Sequence, residues 1–379
     1  VLYRARYRSK ANRPRRRATP GQDAAHKDLN HFSKHFKFLI MANFDVSNLL
    51  TAQTMVNAIY ENPEMRMKPA PAFGLLTSND ALIIGAETLR TREDRAIEAH
   101  LLARTKRSSG STRTHNHTGT IDDSQKVTLN WTTKSDKFAI SLKLLDRSVF
   151  DFNTVFANKM VQACMNVLED KETEAIAYLR AQRATQQPAG LKGGTFTAAT
   201  NAIDIDATNA IVFYQRLKSV MRQNYFGGQI DVIADSNMQV AAERLAAQGA
   251  GNATNTAFQF AGLRIVESVE LNDANYADGI VLAMPSQSAS ALNWIPQQNR
   301  NGYGDYNSFV GGYGTFSFGG YTFAVHGYAQ RADTSASNGN SQDVSLEFEV
   351  SFDTSYNKAP LSFTTGRTDS VILQFGQTS

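Results

Sequence analysis

The sequence predicts an α+β protein, and three observations carry that prediction. One stretch, Ser148 to Ala184, places Val149, Phe152, Phe156, Met160, Cys164, Val167, Lys171, Ala175, Ile176 and Leu179 every three or four positions, the period of a helix with one buried stripe. Segments before it alternate with period two, and residues 195–300 after it alternate between strand and helix patterns. Residues 301–379 then read mostly as strand. With 379 residues, 42% hydrophobic and 20% charged, the chain is long enough for two or three domains with a real core. No apolar run approaches the roughly 18–20 residues that span a bilayer. The longest, Ala81 to Ala86 and Gly279 to Met284, fit single strands, so no membrane role is expected.

The chain opens on a basic segment, residues 1–40, with seven Arg and four Lys against two Asp. Its net +9, within an overall +4, leaves −5 for the remainder. Tyr3-Arg4-Ala5-Arg6-Tyr7-Arg8 and Arg13-Pro14-Arg15-Arg16-Arg17 are too polar and too proline-interrupted to fold alone. Two readings stand: an arm that binds nucleic acid through counterion release, or a mis-assigned or removable leader, because Met41-Ala42-Asn43-Phe44 looks like an ordinary protein start. The run Phe36-Lys37-Phe38-Leu39-Ile40-Met41 is too short, and too broken by Lys37, for a secretion signal.

Residues 41–84 read as an arm with one helix: Leu49, Leu50, Met55, Val56 and Ile59 have helical spacing, after which Pro63, Pro69 and Pro71 force extended chain. Residues 85–147 read as an extended hairpin loop. Its tip is Lys106-Arg107-Ser108-Ser109-Gly110-Ser111-Thr112-Arg113, where all periodicity stops. Val127 to Trp131 and Phe138 to Leu142 alternate with period two, and the turn-prone Lys134-Ser135-Asp136-Lys137 joins them as a hairpin.

Residues 148–194 hold the long helix, with Ser148 and Asp151 able to cap its start and Gln187-Pro188-Ala189-Gly190 stopping it. Thirty-odd residues at 1.5 Å each make a rod roughly 45–55 Å long, the mark of an elongated subunit that builds something larger. Cys164, the only cysteine, reads as core filler and suits a reducing compartment. In residues 195–300, Val212 to Gln223 and Ser236 to Gln248 read as helices, the second packing through Val240 and Leu245. Ile230 to Ala234, Gly262 to Ser268 and Gly279 to Met284 read as strands of one α/β unit. In residues 301–379, Phe316, Phe318, Tyr321, Phe323 and Val325 alternate, and Val344 to Val350 and Val371 to Leu373 complete a β-rich return.

Chemistry-bearing constellations are few. His115, His117, Asp122 and Asp123 are metal-ligand types, but their Ser, Thr and Gly flanks favour a solvated turn. Gly302-Tyr303-Gly304 and Gly311-Gly312-Tyr313-Gly314 lack the Lys-Ser/Thr of a phosphate loop and read as turns between strands. Asp204 and Asp206 share one side of a strand, where solvent-facing acids are the plain reading. Glu169, Asp170, Lys171, Glu172 and Glu174 read as a solvated or subunit-facing surface of the long helix. Asp235, Ser236 and Asn237 sit at a strand end without a partner His or Lys. No nucleophile elbow, zinc motif or kinase signature is present, so no enzyme, cofactor or metal is expected.

The succession Ile230-Asp231-Val232-Ile233-Ala234-Asp235-Ser236, Gly262-Leu263-Arg264-Ile265-Val266-Glu267-Ser268 and Gly279-Ile280-Val281-Leu282-Ala283-Met284-Pro285 resembles the major capsid proteins of tailed bacteriophages. Their shell fold, the Hong Kong 97-like fold, is shared with encapsulins. The resemblance covers nearly the whole body in element order: N-terminal arm, extended β-hairpin loop, long spine helix, axial α/β domain, and strands returning to a peripheral domain. It implies a subunit that self-assembles into hexamers and pentamers of an icosahedral virion shell around double-stranded DNA, built in the host cytoplasm with scaffolding and portal proteins as further partners. Subunit-contact candidates are then Arg104, Lys106, Arg107 and Arg113 in the hairpin loop and Glu169 and Glu172 on the helix. Some family members crosslink a hairpin Lys to a neighbour; nothing local singles out one of Lys106, Lys126, Lys134 or Lys137, and that chemistry is not carried over. The alternatives are an encapsulin-like compartment shell and a β-rich binding or adhesion protein that uses the Gly/aromatic run.

Overall fold

The structure, a computed structural model, describes residues 67–101, 125–141, 152–191, 194–206, 210–249, 262–306, 308–333, 342–361 and 368–378. All of these belong to the second of two units, Val1–Phe44 and Asp45–Ser379. The basic segment and the helix expected at Val46 to Asn62 therefore lie outside the described residues.

Pro71 does not extend the chain but starts a helix, α1 (Pro71–Ser78). A proline fits the first helical position because its missing N–H would have no helical partner there. The run Ala81 to Ala86 is likewise no strand: a 3-10 turn (Asp80–Leu82) leads through Gly85, at φ 75°, into α2 (Ala86–Arg90). Next, β1 (Glu98–Leu101) and β2 (Gln125–Thr128) pair antiparallel as the arms of a hairpin. Its expected basic tip falls outside the described residues. Ala99 and Leu101 bury against Ile83, Ala86, Ala96, Leu129 and Leu292, so the arms have a small core of their own.

The turn expected at Lys134 to Lys137 is absent, because β3 (Trp131–Ser141) runs straight through it. What reads as two strands is one strand's alternation. Cross-strand pairing overrides turn propensity there, with Lys137 opposite Glu349 and Phe138 opposite Phe348. The long helix is α3 (Phe152–Ala181), 30 residues and so about 45 Å. Cys164 is buried in its stripe, and burial pushes its thiol pKa up, as expected of core filler. Among the described residues no helix is long and apolar enough to cross a membrane.

The remaining elements are β4 (Gly194–Thr197), β5 (Ala202–Asp206), α4 (Ala210–Gln223), β6 (Ile230–Ala234), α5 (Ser236–Gly249), β7 (Leu263–Glu267), β8 (Ile280–Pro285), β9 (Ala289–Trp294), α6 (Gln297–Asn301), β10 (Gly304–Asp305), β11 (Gly311–Phe318), β12 (Tyr321–Asp333), β13 (Gln342–Lys358) and β14 (Leu373–Thr378). Together with β3 their strands form two six-stranded sheets. One, antiparallel, runs β10-β11-β12-β13-β3 with β9 also on β13. Its inner face meets α3, where Phe156 lies 5.0 Å from Phe348 and 6.1 Å from Phe138. Phe316, Phe318, Phe323 and Val325 are buried, so the aromatic alternation is core. Gly311 to Gly314 belong to β11 rather than to a turn. Gly327 of β12 leaves the room Phe348 occupies: a Cβ there would stand 2.6 Å from its ring.

The other sheet, β4-β5-β14-β8-β6-β7, is mixed: β5–β14 and β6–β7 are parallel and the other pairings antiparallel. Phe213, Tyr214, Leu217, Val220 and Met221 of α4 and Met238 of α5 cover Val232, Val281, Leu373 and Phe375. Val240, expected in that core, is 62% exposed, because α5 turns Met238 and Ala242 inward instead. Two strands depart from the linear partition. The tail strand β14 inserts between β5 and β8 rather than joining the β-rich return, and β9, inside the span of the α/β unit, pairs with β13. Strand partners follow which apolar face needs cover, not nearness in sequence.

Two fittings hold β14. Tyr276 lies over Gly376, where a Cβ would stand 2.1 Å from its ring, and donates its Oη to Asp204 at 2.5 Å. Asp369, just ahead of β14, accepts Thr185 N at 2.9 Å, Thr185 Oγ1 at 2.5 Å and Gln186 N at 3.2 Å. Burial alone would raise its carboxyl pKa, but these hydrogen bonds outweigh burial and hold it below the usual carboxylate range.

We expect Gly376→Ala to lose about 1–3 kcal/mol in urea unfolding, and Tyr276→Ala in the same chain to recover part of that loss, since the collision goes with the ring. Asp369 has a depressed folded pKa, so its stabilisation is present above the unfolded carboxylate value near ~3.9 and lost as pH falls through the folded one. Asp369→Asn should therefore lower the melting temperature at neutral pH, with the difference from the parent chain shrinking in acid below about pH 4.

Candidate functional site

Lys171 and Glu172 sit on the stripe that also carries Leu168, Ala175 and Leu179, so helical geometry turns both toward the core. Glu172, expected to face solvent or another subunit, is 1% exposed. Its carboxylate accepts Phe73 N at 2.8 Å, Ala72 N at 3.2 Å and Ser268 Oγ at 2.5 Å. Ala70, at the start of α1, has no side chain that can cap it, and Glu172 supplies the cap from another helix. Burial drives the Glu172 pKa up, and the donors from Ser268, Phe73 and Ala72 pull partly against it.

Lys171 is also buried rather than solvated. Its Nζ meets Glu174 Oε2 at 2.7 Å and Thr132 O at 3.3 Å, while burial lowers its pKa. Glu169 is half-buried and accepts Lys68 N at 2.8 Å, and the Lys68 ammonium pairs with Glu270. At the far end of α3, Arg180 Nη1 donates to Asn272 O at 2.9 Å and pairs with Asp273. Glu169, Lys171, Glu172 and Arg180 of α3 thus bind groups of the same chain, joining α1 and the residue Lys68 ahead of it, β3 and the turns after β7. Arg104, Lys106, Arg107 and Arg113, with His115, His117, Asp122 and Asp123, lie outside the described residues.

Other carboxylates are engaged as well. Asp204 accepts Tyr276 and Thr197, and Asp235 caps α5 through Met238 N at 2.8 Å. Ser236 Oγ donates to Glu267 at 2.7 Å, and Asn237 Nδ2 to Ala277 O at 3.0 Å. The strand-end polar residues are thus structural fittings. Among the described residues no group of three or more His, Cys, Asp or Glu is placed to hold a metal ion.

What the surface offers instead is apolar. Phe309 is 76% and Val310 85% exposed, on the turn between β10 and β11. That turn is braced: Ser308 Oγ donates to Asp305 O at 2.8 Å, Gly311 N to Ser308 Oγ at 3.0 Å, and Ala329 N to Ser308 O at 3.2 Å. Ile97, 74% exposed, stands at the root of the β1–β2 hairpin. There Trp131 Nε1 donates to Ala96 O at 2.7 Å, and Arg300 reaches Thr91 O and Arg92 O at 2.7 and 2.6 Å. Covering a large apolar side chain gains about 1.5–3 kcal/mol, so rigidly displayed ones favour a contact. Sequence reading missed them; the signal was the consecutive pair Phe309-Val310 outside any alternation.

Among solved structures, the chain is similar to the capsid of cyanophage P-SCSP1u, at 11% identity over 75% of this chain and 83% of that one, with a TM-score of 0.38. It is similar to a structure of Mycobacterium phage Bobi at 10% identity over 84% and 94% of the two chains, TM-score 0.43. For Microbacterium phage Oxtober96 the figures are 15%, 78% and 91%, with a TM-score of 0.38. No protein-family model matches the chain. No curated protein matches it.

Glu172→Ala leaves two buried N–H groups and a hydroxyl without an acceptor, and should cost about 2–4 kcal/mol by urea unfolding. Glu172→Gln keeps one acceptor oxygen and should lose less. Equal stability of both variants and the parent would remove Glu172 from its role as the cap of α1.

Proposed function

We propose that the chain is a major capsid protein of the Hong Kong 97-like fold, a structural subunit that assembles with copies of itself into hexamers and pentamers of an icosahedral shell. The observation that carries this is the placement of α3. A 30-residue helix follows a hairpin, packs along one sheet through Phe156 and Tyr178, and is tied at its end to the elements around the other through Arg180 and Asp273. This is the spine, with its preceding loop and two flanking domains, that the family's element order requires. In this proposal residues 41–84 are the arm, 85–147 the extended loop, 148–194 the spine, 195–300 mainly the axial domain and 301–379 mainly the peripheral return. The basic loop with Arg104, Lys106, Arg107 and Arg113 lies across a neighbouring subunit, where Glu169 is one acceptor. The shell encloses double-stranded DNA in a virion, assembled in the host cytoplasm with scaffolding and portal partners.

The test is sedimentation followed by electron microscopy of the purified full chain, with nucleic acid extracted from any particles. Closed particles or rings of five and six subunits support the proposal; protein cargo without DNA would favour a compartment shell. A homogeneous monomer at all concentrations, with scaffold-like partners supplied, would sink both. Phe309→Ser with Val310→Ser should abolish particles while leaving the unfolding midpoint of the free subunit within about 0.5 kcal/mol of the parent, because exposed residues contribute little within one chain.

A further inference from the structure

From Ala207 to Ile230 the chain has three cations, Arg216, Lys218 and Arg222, and no acidic residue, although the chain outside the basic first segment is net negative. The structure puts residues 210–229 of that segment into α4 and the tip that follows it. Phe213, Tyr214, Leu217, Val220 and Met221 turn inward, so helical spacing puts Lys218 and Arg222 with Gln215 and Ser219 on the outer side, and half-buried Arg216 on the other flank of the helix. Arg222, in the last turn, suits the helix dipole. Burial lowers the Lys218 pKa, and the nearby charge of Arg222 lowers it further.

The tip beyond α4 is preformed. Asn224 is buried with its amide spent on Ala189 N and O at 3.1 and 3.0 Å, Val220 O at 2.8 Å and Thr368 N at 3.2 Å. Tyr225 follows at φ 68°, a conformation L residues other than glycine seldom adopt, and is 55% exposed. After Phe226, which packs against the core, Gly227 and Gly228 have no atom within 4 Å of where a Cβ would stand, so another backbone can approach closely.

From this we infer that the outer face of α4 and the Tyr225 to Gly228 tip form a contact for the phosphodiester backbone of nucleic acid, with Arg216, Lys218 and Arg222 on phosphates and Tyr225 against sugar or base. The chemistry matches sequence-independent binding: cations and amide or hydroxyl donors for phosphate oxygens, an aromatic ring, and open backbone, with no pattern of groups that reads base edges. The interaction does not depend on the shell proposal, because its evidence lies in one subunit.

The test measures affinity of the full chain for a duplex of about thirty base pairs by fluorescence anisotropy across a salt series. Arg216→Gln, Lys218→Gln and Arg222→Gln together should weaken binding about tenfold or more and reduce the salt slope by about 2–3, near 0.9 for each phosphate no longer neutralised. A comparison chain with Arg92→Gln, Lys137→Gln and Arg244→Gln, equal in net charge, should change much less. Arg222→Gln alone, at an exposed position, should reduce the slope by about one and guards against misfolding of the triple variant. Equal slopes for the two triple variants would overturn the inference. So would failure of particle assembly by the α4 variant with its DNA affinity unchanged, which would make this face an interface between copies; assembly is read separately by sedimentation.

Discussion

A single buried carboxylate organises the subunit. Glu172 sits in the middle of α3 with three donors, two from the first turn of α1 and one from Ser268 after β7. A buried charge is costly unless it is hydrogen-bonded, so α1, α3 and the end of β7 have one stable mutual arrangement. Other fittings depend on it. With α1 held, Asn79 at its end donates to Ala289 O of β9 at 2.9 Å and accepts from Arg264 at 3.4 Å. Arg264 in turn grips the buried Asp231 of β6 at 2.8 and 2.9 Å. The helix, both sheets and the first described helix are thus tied through one chain of polar contacts.

That arrangement divides labour between polar and apolar chemistry in an unusual direction. Glu169, Lys171, Glu172 and Arg180 of the long helix, charged types that on an ordinary surface helix would face water, are used to register elements within the chain. The apolar residues Ile97, Phe309 and Val310, which would ordinarily be buried, are displayed on braced turns. Internal registry by ion pairs and hydrogen bonds is directional and holds one geometry; apolar knobs are non-directional and gain from any complementary cover. A rigid frame also lowers the ordering cost of any contact that such displayed side chains make.

β14 adds a topological constraint. It stands between β5 and β8, so the second sheet is continuous only once a strand from far along the chain has paired in parallel with β5. A pairing so distant in sequence carries a loop-closure cost that its own contacts must offset. The Tyr276 ring over Gly376 and the Asp369 hydrogen bonds supply contacts at this strand and just ahead of it.

Much of the fold was legible in local pattern, where one face of one element decides the residue types. The α3 stripe, the helices α4 and α5 and the aromatic alternation of β11 and β12 announce themselves by period, and the buried strands β6 and β8 by short apolar runs. Local pattern failed where partners decide. Lys134 to Lys137 has turn composition but becomes strand because β13 lies alongside it, and Pro71 starts a helix because Glu172 caps it from elsewhere. Charged residues were read as solvated because sequence spacing cannot tell a paired buried charge from a free one. Periodicity, set by backbone geometry, was enough to read the α+β class and most of the elements from the chain alone. Which sheet each late strand joins, which charges are buried and which apolar residues face out came only from the packed fold, since those depend on groups brought together from distant parts of the chain.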